Sequence, residues 1–418
     1  MHRPLLVCTA LLAWTSPAAA QTLRARLGGL LTFGPYAEPL EVGTLSANGQ
    51  SLVTSSAFQA SPANAAFANF LVNWMTANAA SAPVASTGGG RTFRIVGGVP
   101  VAGAPAPGPI FGERATTLGR GGVIVGANYT GVQFSRVRGV PLDAVSATLT
   151  PAAASGAAPG AATADAIDLR LSVDYRMTVT SLYATAGVLD RLDVGVVVPV
   201  VQSRLNGQST ATAVSTTGGT PTTVLGGTAA APLYTSSQSI AGRATGIGDV
   251  ALRAKVNLLD RPATGLALLG DVRLPTGNAD NLLGSGSFSA RLLGVYSGQF
   301  GAVTPYVNAG YLYFAKRTIN DAFLATLGVD ADVAPWATVS LSAIGQRHAG
   351  ASAYQVRTAT GAAVLTNVPE IRDDALSASI GAKFGVRGVR ATANVLAPFT
   401  RGGPRPDLAY TFGVERAF

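Results

Sequence analysis

Ile167-Asp168-Leu169-Arg170-Leu171-Ser172-Val173-Asp174-Tyr175-Arg176-Met177-Thr178-Val179-Thr180 alternates without a break. Apolar side chains hold the odd positions and polar ones the even positions. In a β-strand successive side chains point to opposite faces, so this period of two gathers all the apolar residues on one side. A helix would scatter them around its axis. The run is longer than an average strand of about five or six residues. It also exceeds the roughly nine to eleven residues that a strand needs to cross a bilayer. A strand with one greasy and one polar face fits a transmembrane β-barrel, apolar side to lipid and polar side to a water-filled lumen.

The same period recurs downstream. Val250, Leu252, Ala254, Val256 and Leu258 alternate with Asp249, Arg253, Lys255 and Asn257; Leu266, Leu268, Val272 and Leu274 alternate with Asp271 and Arg273. Further strands are predicted at 121–137, 192–205, 287–298, 302–314, 323–333, 336–346, 374–385, 389–398 and 407–418, which makes twelve in all. Their connections alternate in length. Short turns fall near Asp190-Arg191, Asp260-Arg261-Pro262, Gly298-Gln299, Ala334-Pro335 and Arg387-Gly388. Long loops are expected at 138–165, 206–245, 276–286, 315–322, 347–373 and 399–406, the 206–245 stretch being a Ser/Thr/Gly tract with almost no charge. An even strand number with short turns at one end and long loops at the other is the pattern of a bacterial outer-membrane barrel. A soluble β-sandwich or propeller alternates too, but it predicts shorter strands and no export to a membrane.

Composition agrees. Of 418 residues 48% are hydrophobic and 12% charged, half the roughly 25% charge of a soluble domain. Mean hydropathy is +0.32. Yet beyond residue 20 there is no uninterrupted apolar run of about 18 residues, as a transmembrane helix needs. The hydrophobicity is dispersed, as alternation requires.

Met1-His2-Arg3, the apolar stretch Pro4 to Trp14 and Ala18-Ala19-Ala20 read as a signal peptide over residues 1–20, with the mature chain starting near Gln21. The one cysteine, Cys8, leaves with it, so no disulfide or cysteine metal site is expected. Losing Arg3 lowers the net charge from +9 to +8. The arginines are spread singly, with no basic run of the kind that tracks phosphates, so nucleic acid is not expected as a partner.

Residues 21–110 read as a separate plug or periplasmic segment, with the barrel over 111–418. Within it Phe67, Phe70, Leu71, Trp74 and Met75 recur at helical spacing between Ala63 and Ala80. Two placements fit this helix equally: a plug in the lumen, or a periplasmic cap that binds a partner. A Gly/Pro-rich link follows, from Gly88-Gly89-Gly90 to Pro109. At the other end Tyr410, Phe412, Val414 and Phe418 share a face. A terminal aromatic behind alternating apolar residues resembles the signal read by the barrel-assembly machinery, with Arg416 departing from that pattern.

Several stretches resemble the outer-membrane transporter family first named for the phenol-degradation meta-pathway. They are Gly108-Pro109-Ile110-Phe111-Gly112-Glu113-Arg114-Ala115 with Thr117-Leu118-Gly119-Arg120-Gly121, Leu189-Asp190-Arg191-Leu192-Asp193-Val194-Gly195 with Val198-Pro199-Val200, and Gly246-Ile247-Gly248-Asp249-Val250. Asp271-Val272-Arg273-Leu274-Pro275-Thr276-Gly277, Leu283-Gly284-Ser285-Gly286 and Asn308-Ala309-Gly310-Tyr311 complete the set. The resemblance implies an outer-membrane barrel that passes hydrophobic or aromatic compounds; a related group forms plugged barrels that secrete amyloid subunits.

With apolar faces toward lipid, the pore-lining candidates are Asp168, Arg170, Asp174, Arg176, Asp249, Arg253, Lys255, Asp271, Arg273, Arg291, Lys383 and Glu415, seven basic and five acidic. Asp249, Asp271, Arg253 and Arg273 are expected at similar heights on neighbouring strands. Inward Leu269, Leu293 and Leu312 would add a little apolar lining. Three functions compete: a passive channel for small hydrophobic or aromatic solutes, a secretion pore, and a barrel enzyme. The last would need a base, and beyond residue 20 the one histidine is His348 in Gln346-Arg347-His348-Ala349, with no nucleophile and orienter in its sequence neighbourhood. No cofactor site is expected: Gly246-Ile247-Gly248-Asp249-Val250-Ala251 only mimics a dinucleotide loop, because it opens a strand rather than a helix.

Overall fold

The computed structural model describes residues 21–46, 48–80, 90–96, 99–106, 112–152, 165–261, 263–315, 320–350, 365–386, 388–402 and 406–418. The expected signal peptide lies outside the described residues, as do Gly88, Gly89, Gly108 to Phe111, Pro262 and Arg387 of the stretches quoted above.

Among the described residues two α-helices precede the barrel, α1 (Leu23–Gly29) and α2 (Pro62–Ala80). The strands are β1 (Val123–Phe134), β2 (Asp165–Leu189), β3 (Leu192–Ser215), β4 (Thr235–Ile247), β5 (Ala251–Asp260), β6 (Thr264–Arg273), β7 (Ser289–Gly298), β8 (Val303–Phe314), β9 (Ala322–Ala334), β10 (Ala337–His348), β11 (Ala375–Val386), β12 (Val389–Pro398) and β13 (Leu408–Ala417). All but β4 close into a twelve-stranded antiparallel barrel, sealed where β13 pairs with β1, Phe412 opposite Tyr129. β4 is an upward continuation of β5. Both pair with β3, β5 up to Val197↔Ala251 and β4 from Val200↔Ile247.

The short turns, the start of β1 and the end of β13 all lie at one end. Outward positions form an apolar belt that includes Leu182, Val194, Leu252, Leu268, Leu292, Val307, Leu327, Leu341, Ile380 and Phe412, all exposed. Exposed aromatics border it at both ends: Tyr296, Phe300, Trp336, Phe384 and Phe418 near the short turns, and Phe288, Tyr313, Phe323, Phe399 and Tyr410 near the long loops. Paired aromatic girdles mark the two lipid–water interfaces. Among the described residues no helix is long and apolar enough to cross a membrane; the strands cross instead. The chain is a bacterial outer-membrane barrel with its short turns toward the periplasm.

β2 and β3 are 25 and 24 residues long, roughly twice what the bilayer needs. Their register runs unbroken from Asp193↔Gly187 to Ser215↔Asp165, so no side chain changes face along the way. The chemistry of the faces does change. Near the turn the outward residues are Leu182, Ala184, Ala186 and Val188, and the inward ones are Ser181, Tyr183 and Thr185. Above Thr180 the outward residues are polar, while Ile167, Leu169, Leu171, Val173, Tyr175, Met177 and Val179 point inward and are buried. This corrects the sequence reading: the apolar face of the opening stretch meets the protein interior, and only the shorter Leu182–Val188 portion meets lipid. Above the membrane, water is outside and packed chain inside, so each face takes the polarity of a soluble sheet.

The 206–245 tract is likewise not a loop. β3 runs through it to Ser215 and β4 begins at Thr235. Inward Gly207, Ser209, Ala211 and Ala213 are small, and the outward partners are polar, so the alternation carries little hydropathy contrast. The expected linker contains an antiparallel hairpin, Gly90–Val96 with Val99–Ala106.

The N-terminal segment fills the space under the tall sheet. Thr22 caps α1 by accepting a hydrogen bond from the amide of Ala25. Leu23 and Leu30 fit against Gly242 and Gly207, where a Cβ would leave them no room. α2 buries Phe67, Phe70, Leu71, Trp74 and Met75 in the same core as Val132, Phe134, Tyr175, Leu205 and Leu396. Trp74 meets Phe134 edge-on at 6.3 Å, and Phe134 stacks on Tyr175 at 5.1 Å. Burying each such side chain is worth roughly 1.5–3 kcal/mol. The five plug candidates therefore sit together at the long-loop mouth, at the end opposite the one a periplasmic cap would occupy.

Candidate functional site

Before β1 starts at Val123, the chain passes through the barrel. Gly112 to Leu118 runs inside it, tied to the wall by backbone and side chain alike. The amide of Glu113 donates to Asn308 Oδ1 (2.8 Å) and its carbonyl accepts from Asn308 Nδ2 (2.9 Å). Ala115 is held the same way, its amide by Ser297 Oγ (3.0 Å) and its carbonyl by Asn257 Nδ2 (2.8 Å). One amide or hydroxyl per contact replaces the strand neighbour that an extended chain in a lumen lacks. Gly112 lies against the Tyr306 ring, and any side chain there would overlap it. The segment leaves through Leu118, whose amide donates to the carboxylate of Asp193 (3.0 Å), and through Thr117, whose hydroxyl donates to the Asp190 carbonyl (2.9 Å) at the β2–β3 turn.

Charge completes the hold. Glu113 pairs with Arg253 (2.9 Å) and Lys255 (3.6 Å), both on β5. Arg114 pairs with Asp330 on β9 at 2.6 Å, and Asp330 accepts a further hydrogen bond from Ser340 on β10. Asp271 binds Arg291 through Nε at 2.7 Å and lies 3.9 Å from Arg253. On the far wall Glu415 accepts from Tyr183 (2.8 Å) and Arg390 (3.0 Å), with Lys383 buried beside them on the inward face of β11. Buried pairs of this kind add little net stability when intact, but removing one partner strands a charge at a cost of about 3–5 kcal/mol. A small cavity remains between Glu113, Thr185, Asp193, Gly195, Arg253, Lys255 and Leu269.

Of the twelve pore-lining candidates, Arg253, Lys255, Asp271, Arg273, Arg291, Lys383 and Glu415 face the interior. Asp168, Arg170, Asp174 and Arg176 do not. They stand on the outward, water-facing side of β2 above the lipid, because the faces of that strand exchange polarity there. Asp249 lies just above Arg273 but serves a different end. Its carboxylate accepts from the amide of Gly277 (3.1 Å) and from the amide and hydroxyl of Ser285 (both 2.7 Å). Three motifs far apart in the chain, Gly246–Asp249, Pro275–Gly277 and Leu283–Gly286, meet in this clasp. Gly277 and Gly284 approach so closely that neither tolerates a side chain. The clasped loop reaches inward to β3, where Ser203 donates to the Leu282 carbonyl, and to α1, where Asn281 accepts from the Leu23 amide.

The mouth has its own buried pair. Arg138 donates to both oxygens of Asp373 (3.1 and 2.9 Å), and its guanidinium lies over the Phe70 ring of α2 at 5.2 Å. His348 ends β10 nearby, 4% exposed, with Nε2 3.2 Å from Gln346 Nε2 and its amide donating to Asp374. Among the described residues no group of three or more His, Cys, Asp or Glu is placed to hold a metal.

Glu113, Arg114, Asp193, Tyr183, Asp330 and Arg390 were missed as interior residues. Asp193, Asp330 and Arg390 were readable, since they occupy inward positions of their strands; Tyr183 was not, because the phase read for β2 turned its odd positions toward lipid. Glu113 and Arg114 carry no such signal, because they precede the first strand.

Apolar groups also line the interior. Ile344 on β10 packs against the core that contains α2, and Leu324 on β9 packs against Leu269, Leu293 and Ala115. Leu324 pairs with Gln346 and Thr326 with Ile344, so the two side chains are diagonal neighbours. A stripe of aliphatic side chains thus joins the mouth to the mid-lumen.

The fold is similar to solved structures of outer-membrane proteins. An outer-membrane channel from Pseudomonas putida F1 matches with a TM-score of 0.44 at 13% identity, over 72% of this chain and 97% of that one. A Pseudomonas aeruginosa FadL homologue matches at 0.32 and 11%, over 72% and 90%. The CymD monoaromatic hydrocarbon channel matches at 0.34 and 9%, over 72% and 89%. No curated protein matches the sequence. The model of the family described as "Putative MetA-pathway of phenol degradation" matches residues 154–396, which take in most of the barrel and the Asp249 clasp, and the chain belongs to that family.

Proposed function

We propose that this protein is a passive outer-membrane channel for small hydrophobic or aromatic compounds, closed at rest by its own N-terminal segment. The observation that carries this reading is the aliphatic stripe Ile344–Leu324–Leu293–Leu269. It descends from an aromatic mouth into a lumen whose other walls are charged. A greasy solute would enter among Phe67, Phe70, Trp74 and Phe134, follow the stripe past the ion pairs, and reach the periplasm when Gly112–Leu118 yields. The family's association with phenol degradation points to the same solute class. Twelve strands lie between the eight that side chains can fill and the sixteen or more that leave an open aqueous channel. Filling at two levels suits a small solute better than a polypeptide, which disfavours a secretion pore. β13, with Tyr410, Phe412 and Val414 outward and Phe418 exposed at its end, is the segment we infer the assembly machinery to bind.

Planar-bilayer recording tests the channel. Full-length protein should conduct in small, interrupted steps, and a chain lacking residues 21–110 should conduct more and longer. A saturating aromatic solute should reduce the current of the truncated form. Silence from both forms after verified insertion would overturn the reading.

A further inference from the structure

We propose that the outside of the barrel carries a binding site for the phosphate groups of outer-leaflet lipid, formed by Arg176, Arg204 and Arg243. Register places Arg204 on β3 directly opposite Arg176 on β2 and directly opposite Arg243 on β4. All three point outward and are exposed. Neighbouring strands are about 4.8 Å apart, and like charges directly opposite destabilise a sheet. Arg176 has a carboxylate neighbour, Asp174 at 3.1 Å; among the described residues Arg204 and Arg243 form no ion pair. The other outward positions of β3 and β4 above the lipid carry mainly Gln, Asn, Ser and Thr, which serve solubility without repulsion, and the further charges, Asp168, Arg170 and Asp174, stand on β2. The rank of cations therefore implies an anionic partner outside the protein.

Its level identifies that partner. The row beneath is Thr178, Gln202 and Thr245; the next is Tyr129, Thr180, Val200 and Ile247, where the apolar belt ends. Four residues at about 3.4 Å each, on a strand tilted about 40°, put the arginines roughly 10 Å beyond the hydrocarbon. Headgroups occupy that layer, and long basic side chains can lean back into it. The side is the one opposite the short turns, hence the outer leaflet, whose lipid is a phosphorylated glycolipid. Guanidinium groups bind phosphate through paired N–H donors, and the amide and hydroxyls of the row beneath can hydrogen-bond the remaining oxygens. Gln133 on β1, opposite Arg176, extends the row. β3 and β4 thus rise beyond the membrane not only to enclose the N-terminal segment but to present a cationic ledge to the lipid. The site is independent of what crosses the lumen.

The test uses full-length protein in detergent, with barrel folding verified by heat-modifiable migration. Binding of bisphosphorylated lipid A is titrated by native mass spectrometry and thermal shift, against dephosphorylated lipid A and inorganic phosphate. Wild type should prefer the bisphosphorylated lipid. The R176Q/R204Q/R243Q variant should bind it about 100-fold more weakly, and R204Q alone about fivefold. The triple lysine variant should retain most of the affinity. Equal binding by wild type and the glutamine variants would overturn the proposal. So would equal binding of the two lipids, or displacement of the lipid by inorganic phosphate at low concentration, which would mark a free-anion site.

Discussion

The carboxylate of Glu113 and the guanidinium of Arg253 meet at 2.9 Å inside the barrel, although 140 residues separate them along the chain. The pair fastens the lumen segment to β5, with Lys255 as a second cation on the same carboxylate. E113A leaves both cations buried without that partner. It should destabilise the closed arrangement by about 3–5 kcal/mol at most, less whatever water recovers. We expect longer open events in single-channel records and faster proteolysis within 112–122 in detergent. An unchanged open probability would mean that the segment does not limit conduction.

Arg138 and Asp373 form the corresponding fastening at the mouth, where the Phe70 ring of α2 lies under the guanidinium. Either R138M or D373L alone strands a buried group. R138M/D373L removes both charges and should cost clearly less than the sum of the single changes, as a double-mutant cycle would reveal. The single variants should also raise protease access to α2. Simple additivity in the cycle would show that the two side chains do not act as a pair.

The number and order of the barrel strands, and their ends at the short turns, were legible because the outward positions in contact with lipid must be apolar, whatever fills the interior. The direction of the faces in β2 was not. Leu169 and Leu182 are equally apolar and lie on opposite sides of one strand, and only the boundary near Thr180 explains why. Period alone reports that two faces differ; it does not say which one meets lipid, water or packed chain. The lumen charges on β5 to β7 were legible because those strands stay within the bilayer and keep one polarity throughout. Asp249 was expected to line the pore because it continues the β5 alternation. Its role in the clasp depends on Gly277 and Ser285, which no periodicity connects to it.

The inversion itself can be tested on adjacent residues. Val173 is inward and buried, and Ser172 is outward at the same height. V173D should lower stability by several kcal/mol, since an aspartate would be desolvated without a partner, and S172D should change it by less than about 0.5 kcal/mol. In the membrane portion the sides exchange roles. L182R faces lipid and should impair folding into bilayers by up to about 2–4 kcal/mol, less if the site lies near the interface. Equilibrium unfolding in urea with lipid vesicles reads all three. Tolerance of V173D with loss of S172D would place the sheet the other way round.

Gly284 tests the clasp. A methyl group there would press on Asp249 and on the backbone of Gly277, so G284A must either displace the 275–288 loop or break the three hydrogen bonds to Asp249. D249N keeps the shape but weakens charge-assisted bonds to the amides of Gly277 and Ser285. Both variants should loosen the contacts that this loop makes with Ser203 and α1, seen as faster amide exchange at Leu23 and Ser285. G284A should have the larger effect, because it removes the geometry and not only the charge.

Leu324 separates transport of greasy solutes from conduction of ions. It is half-buried on the inward face of β9, diagonal to Ile344 on β10 and packed on the cluster of Leu293 and Leu269. L324N interrupts the aliphatic stripe with an amide of similar size and adds no charge, so the ion pairs that set the electrostatics of the lumen stay intact. In the truncated channel the variant should conduct ions within about twofold of the parent, while the concentration of aromatic solute needed to block the current rises about tenfold, the equivalent of roughly 1.4 kcal/mol of lost apolar contact. Replacement by isoleucine should restore block. If asparagine leaves solute block unchanged, the solute travels along another wall, and the stripe is only packing for the lumen segment.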